Sequence, residues 1–379
     1  INPQPVVSSL LNNTVCSDVA TGLTLSTNGT SVAALNYNIT VRTIAPGLVP
    51  AGANATVPAT GVAASYLSAD KFNNITTAPL NVAYTVVPVS GANCAGTPMT
   101  ITITINPKPV LNVSPVTQCS GVATGLLLAT SASSVTAQNY NITAISIPPG
   151  LTADGTNAVV PASGVNANYL AGDDFTNTGA GDLTVTYTVV PVSSLGCAGQ
   201  SMPIGVTIHP QPVVATTLNN TLCSRSPVNL VLATNGTSVA AANYNITAIS
   251  IQAGLVAGGS NAAVPATGVV STYLQNDTYT NTTNSALTVS YTVVPVSAAG
   301  CLGNPQVITM TINAEPVVST FLNNTVCSQA NIGLTLNTNG SSASAANYSI
   351  TARNITAGLT PSPSNVIVPA TNVAASYLA

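Results

Sequence analysis

The sequence predicts an all-β chain: a tandem array of antiparallel β-sandwich modules of about 104 residues. Three observations predict it. Cysteines recur in a fixed frame, apolar residues alternate with polar ones over short runs, and the composition is rich in small β-formers and poor in charge.

The cysteines set the frame. They are Cys16, Cys94, Cys119, Cys197, Cys223, Cys301 and Cys327. The first of each unit follow one another at 103, 104 and 104 residues, and first and second cysteines within a unit always stand 78 apart. A constant spacing across three units is the mark of an internal repeat. Each unit opens on INPQP, INPKP, IHPQP or INAEP and then reads C-S, an L-x-L segment, N-Y-[NS]-I-T, V-P-A and Y-L. Complete units continue through Y-T-V-V-P-V to C-x-G. This divides the chain into repeats at 1–104, 105–207 and 208–311, with a partial fourth at 312–379 that lacks its C-terminal strands. The pattern starts and stops within its own frame, so a longer parent protein is expected.

Local periodicity supplies the strands. In residues 80–90, Leu80, Val82, Tyr84 and Val86 share one face; in 99–105, Met99, Ile101, Ile103 and Ile105 alternate with threonine. Both runs have the period of two that leaves one face buried. Leu23 with Leu25, and Tyr37 with Ile39 and Val41, mark two further strands. Glycine and proline punctuate the chain every 8–12 residues. About seven strands per repeat fit an immunoglobulin-like sandwich.

Composition closes several functional classes. Charged residues make up 3% of the chain, against about 25% in ordinary globular proteins. The five basic residues, Arg42, Lys71, Lys108, Arg225 and Arg353, are scattered, so no nucleic-acid-binding face is expected. Pro, Gly, Asn and Thr break every apolar run well short of a membrane span. His209 is the only histidine, sits in a linker and aligns with Asn106 and Asn313. No catalytic triad, zinc spacing or cofactor motif occurs, so the chain is expected not to be an enzyme and to need no cofactor.

Three in-frame residue sets remain. Asp70, Asp173 and Asp277 are weak calcium candidates; calcium wants six to eight oxygens, and a turn or strand cap is the plainer role. Tyr84, Tyr187 and Tyr291 read as core tyrosines with their hydroxyls at the sandwich edge. Sequons at Asn12, Asn28, Asn38, Asn74, Asn245 and Asn354 offer glycosylation sites.

The Y-T-V-V-P-V…G-C-x-G segments (Tyr84 to Gly96, Tyr187 to Gly199, Tyr291 to Gly303), the T-I-N-P-x-P-V openings and the D-x-[FY]-x-N stretches at Asp70, Asp173 and Asp277 carry a resemblance. The units resemble the PKD-like, immunoglobulin-like repeats of very large surface proteins of Bacteroidetes. Tyr37, Tyr140, Tyr244 and Tyr348 stand near the place where many relatives carry Trp. The resemblance implies export to the bacterial cell surface, through the type IX system, and a role as adhesin or stalk like the gliding-motility adhesins. A self-assembling filament or surface-layer subunit and a glycan-binding array are the alternatives. Neighbouring modules of the same chain are the expected partners; surface glycans, other cells and lateral self-association are further classes left open.

An extracellular location makes disulfides the default. One pairing lies within modules: Cys16–Cys94, Cys119–Cys197 and Cys223–Cys301, with Cys327 awaiting a partner beyond the fragment. The other joins neighbours: Cys94–Cys119, Cys197–Cys223 and Cys301–Cys327. The within-module pairing is preferred because it makes each module self-contained. It has one difficulty: in an ordinary immunoglobulin topology the two cysteines lie at opposite ends of the sandwich.

Overall fold

The computed structural model describes residues 1–379. It is all-β apart from one short 3₁₀ turn at Ala375–Tyr377. The chain divides into two compact units, one of residues 1–177 and 182–208, the other of 178–181 and 209–379.

The first repeat forms seven strands: β1 (Asn13–Cys16), β2 (Ala34–Ile44), β3 (Leu48–Ala51), β4 (Ala59–Val62), β5 (Lys71–Asn74), β6 (Leu80–Ser90) and β7 (Met99–Asn106). Five of them make one sheet in the order β1-β7-β6-β2-β4, while β3 and β5 pair separately. The second repeat builds the same plan from β8 (Val116–Cys119), β9 (Ala137–Ser146), β10 (Leu151–Ala153), β11 (Ala162–Val165), β12 (Phe175–Asn177), β13 (Leu183–Ser193) and β14 (Met202–His209). The third does so from β15 (Asn220–Cys223), β16 (Ala241–Ile251), β17 (Leu255–Ala257), β18 (Ala266–Val269), β19 (Tyr279–Asn281), β20 (Leu287–Ser297) and β21 (Gln306–Asn313). The fourth contributes β22 (Tyr348–Ile350) and β23 (Ala370–Val373), which pair with each other.

The long strands form where the alternation foretells them. Val82, Tyr84 and Val86 of β6 and Ile101, Ile103 and Ile105 of β7 are wholly buried, and the threonines between them face outward. They pack with Leu23, Leu25, Ile39, Leu67 and Phe72 into one core. Equivalent cores fill the second and third repeats.

Three details depart from the expected pattern. Val41 does not continue the buried face of Tyr37 and Ile39: a bulge shifts the register between Ile39 and Val41, and Val41 emerges exposed. One extra residue in a strand reverses the facing of everything beyond it. Leu23 and Leu25 are buried but form no strand; they lie as an extended segment tied by single bonds such as Leu25 N–H to the Ala64 carbonyl (2.9 Å). The sheet is also not purely antiparallel, because β1 pairs with β7 in parallel, Asn13 opposite Ile103 and Cys16 opposite Asn106. The same parallel pairing joins β15 to β21.

That parallel pair fixes where the cysteines stand. Cys16 ends β1 beside the end of β7, where the chain leaves for the second repeat. Cys94 lies in the turn between β6 and β7, at the start of β7. The eight-residue β7 separates the two by about 25 Å.

Candidate functional site

The recurring D-x-[FY]-x-N stretch is an internal clamp. In the first repeat Tyr84 donates its hydroxyl to Asp70 Oδ2 (2.6 Å), and the Ala55 N–H donates to Asp70 Oδ1 (2.7 Å). Arg42 Nη1 approaches the same carboxylate at 3.5 Å. The second repeat repeats the arrangement with Tyr187 on Asp173 (2.6 Å) and Ala158 N–H (2.7 Å). The third uses Tyr291 on Asp277 (2.8 Å) and Ala262 N–H (2.7 Å), and there Tyr279 adds a second hydroxyl against Tyr291 (2.8 Å). All three carboxylates are buried. Each ties the loop ahead of a V-P-A segment to the long central strand.

Burial dominates the electrostatics. It pushes the Tyr84, Tyr187 and Tyr291 phenols far above the ordinary tyrosine range, and the adjacent carboxylates add to the shift. Burial also raises the Asp277 carboxyl, against the opposing effect of the Ala262 N–H and the Tyr291 hydroxyl.

These positions bear on two expectations. Asp70, Asp173 and Asp277, the weak calcium candidates, spend their oxygens on tyrosine and amide hydrogens in the core, not at a surface turn. The tyrosine hydroxyls do not reach the sandwich edge either; they turn inward because a buried hydroxyl must find a partner and the aspartate supplies it.

The asparagine closing the motif makes a second clamp. Asn74 donates through Nδ2 to the carbonyls of Ala78 (2.9 Å) and Ile105 (2.8 Å), and its N–H donates to the Ser17 hydroxyl (2.9 Å). Asn177 repeats the bonds to Ile208 (3.0 Å) and Ser120 (2.8 Å), and Asn281 those to Ile312 and Ser224 (both 2.8 Å). Asn74 is therefore sealed in the core, which removes it from the glycosylation candidates. The serine of the C-S pair is thus bonded into its own repeat in the first three repeats.

The cysteine of that pair reaches outward. Cys16 is disulfide-bonded to Cys197, with Cα atoms 5.5 Å apart. This overturns both expected pairings. Cys94 is not the partner of Cys16 because the length of β7 lies between them, far beyond the roughly 7 Å a bridge allows. Cys197 lies in the turn between β13 and β14, at the start of β14, and there it meets the end of the first repeat. Cys119 and Cys301 are disulfide-bonded as well. Cys94, Cys223 and Cys327 are free thiols. A bond between neighbouring repeats was one of the two alternatives, but with other partners, because spacing reports sequence distance, not the end of the sandwich.

The glycine of C-x-G serves the same turn. A Cβ on Gly96 would strike the Pro5 carbonyl and approach the Pro88 ring at 2.9 Å; Gly199 and Gly303 face Pro109 and Pro212 in the same way. Only glycine lets the opening N-P-x-P segment pass so close to the turn.

No characterised protein matches this chain in sequence. Among solved structures, human CDH23 EC21-23 is 14% identical, with 82% of this chain and 99% of that chain covered and a TM-score of 0.29. Drosophila N-cadherin EC1-4 is 12% identical, with 82% and 75% covered and a TM-score of 0.25. The sialic acid binding region of a Streptococcus sanguinis adhesin is 10% identical, with 84% and 81% covered and a TM-score of 0.21. The PKD-like domain family matches three successive segments, residues 13–109, 151–212 and 220–316. These span more than half of the sequence, so the chain belongs to the PKD-like domain family.

Proposed function

We propose that this chain is a load-bearing stalk segment of a large bacterial surface protein of the adhesin kind, non-catalytic and working outside the cell. The observation that carries this reading is the Cys16–Cys197 bridge. A bond between consecutive repeats routes tension from residue 16 straight to residue 197 and leaves the chain between them unloaded. The disulfides support an oxidising, extracellular setting, and the surface-protein resemblance supports type IX export and a place in attachment or gliding.

Self-assembly into a filament or layer fits less well. A lateral seam would repeat with the modules, yet the exposed Leu35 and Val41 align with Gln138 and Ala144 in the second repeat and Ala242 and Ala248 in the third.

Single-molecule stretching between the termini tests the load-bearing reading. Residues 17–196 hold about 600 Å of extended chain at roughly 3.4 Å per residue. The oxidised protein should withhold at least that length, and reduction should release it. Equal contour lengths before and after reduction would sink the reading.

A further inference from the structure

The bonded and the free cysteines occupy the same two local frames. In one, the cysteine sits in the turn between the last two long strands. The Ser193 N–H donates to the Cys197 carbonyl (3.0 Å), and the Cys197 N–H to the Ser193 hydroxyl (3.2 Å). Cys301 is held the same way by Ser297 at 2.9 and 3.1 Å. Both are wholly buried and disulfide-bonded. Cys94 is held identically by Ser90 at 3.0 and 3.2 Å, yet it is partly exposed and free. In the other frame, the cysteine ends the first strand beside the last. Cys16 lies opposite Asn106 and is bonded. Cys223 lies opposite Asn313 in the same parallel register, and is exposed and free.

We infer that Cys94 and Cys223 are two open halves of the inter-repeat staple, each built to bond a further repeat of this type. Cys94 receives the first cysteine of a repeat placed ahead of it. Cys223 receives the second cysteine of a completed fourth repeat, and Cys327 starts the staple after that. The local geometry of each half-site already matches its occupied counterparts, so what differs is the neighbour, not the cysteine. This extends the stapled-stalk reading and rests on the same bridge.

The chemistry is thiol–disulfide exchange with a low-molecular-weight disulfide such as glutathione disulfide as oxidant. One cysteine thiolate attacks the oxidant, forming a mixed disulfide and expelling one glutathione thiolate. The partner cysteine's thiolate then attacks the protein sulfur of that mixed disulfide and expels the second. One protein S–S bond forms and the oxidant's S–S bond breaks. The two electrons and the two cysteine protons end on two glutathione thiols.

The test extends the full chain. Appending a copy of residues 276–311 after Ala379 completes the fourth repeat and supplies its second cysteine. After oxidation with glutathione disulfide, peptide mapping should show the appended cysteine bonded to Cys223. The number of free thiols should fall from three in the original chain to two, Cys94 and Cys327. Cys223→Ser in the extended chain should restore three. A bond from the appended cysteine to Cys327 would overturn the inference, as would an appended cysteine left free while Cys16–Cys197 forms. A second chain, with a copy of residues 105–207 fused ahead of Ile1, offers Cys94 its partner and guards against misfolding of the first. Failure of Cys94 to bond there, with Cys16–Cys197 again intact, also counts against it. A disulfide-linked dimer yielding a Cys94–Cys223 peptide supports the same half-sites, filled by a second copy. Failure here leaves the stretching result for Cys16–Cys197 standing, so the two readings fail separately.

Discussion

Tyr84 and Asp70 meet at 2.6 Å with both side chains shut away from water, and the same pair recurs as Tyr187 with Asp173. The second pair lacks a neighbouring cation, because Ile145 takes the place of Arg42, and the acidic Asp174 stands beside it. Tyr187→Phe should therefore strip a donor from a buried carboxylate and destabilise the second repeat by about 1–3 kcal/mol. Tyr84→Phe should cost less, since Arg42 stays beside Asp70. Hydrogen exchange in β13 and β6 reads the two repeats separately, and equal losses would contradict the role given to Arg42.

Asn281→Ala should be at least as damaging to the third repeat. It removes the Nδ2 bonds to the Ser285 and Ile312 carbonyls and takes the Nδ2 donor from the buried Ile312 carbonyl, while the Thr283 hydroxyl still serves the Ser285 carbonyl. At about 1 kcal/mol per lost bond, plus the cost of the unmet acceptor, the expected loss is about 2–3 kcal/mol. Urea unfolding followed by exchange in β21 checks it; a change under about 0.5 kcal/mol would rule out the clamp.

The third repeat should grow less stable as pH rises from the acid side. Burial holds the Asp277 carboxyl above its ordinary range. The folded state therefore keeps a proton that the unfolded state has already released. Between the unfolded carboxylate value, about 3.9, and the higher folded value, the native state binds more protons, so stability falls across that window. Asp277→Asn should flatten the dependence. Melting of the third repeat between pH 3 and 7 decides the sign, and a rise in stability over that range would refute it.

Cys16→Ser should destabilise the first two repeats and expose Cys197 to thiol labelling. Opening a 181-residue loop costs about 5 kcal/mol in the chain-entropy model. Cys94→Ser should leave melting unchanged, because that thiol is already free. If Cys94→Ser proved the damaging change, the bridge would lie within the repeat after all.

The sandwich was legible in the sequence because its long strands bury one face. Alternation marks such strands directly, as in Val82, Tyr84 and Val86. The bulge after Ile39 was not legible, since one extra residue leaves no mark in composition. Nor was the inward turn of the Tyr84 hydroxyl, whose partner Asp70 lies on a different strand connection. The D-x-[FY]-x-N stretch was visible as a motif, but its aspartate read as a turn or strand cap because sequence carries no burial. The cysteine partners were hidden for a related reason: the parallel placement of β1 beside β7, which carries Cys16 to the far end of its repeat, depends on pairing between segments some 90 residues apart. The C-S dipeptide was the available clue, one residue facing each way.

The junction after Asn106 is crossed twice, once by the backbone through Pro107 and Pro109 and once by the sulfur bridge from Cys16 to Cys197. Two bodies joined at one point swivel freely about it. Joined at two separated points, they keep only a hinge about the line between those points. Twist of the second repeat against the first is therefore restrained. A torque applied at one end passes to the other without being lost at the joint, and Ser17, bonded to Asn73 and Asn74, delivers it into the core of the first repeat.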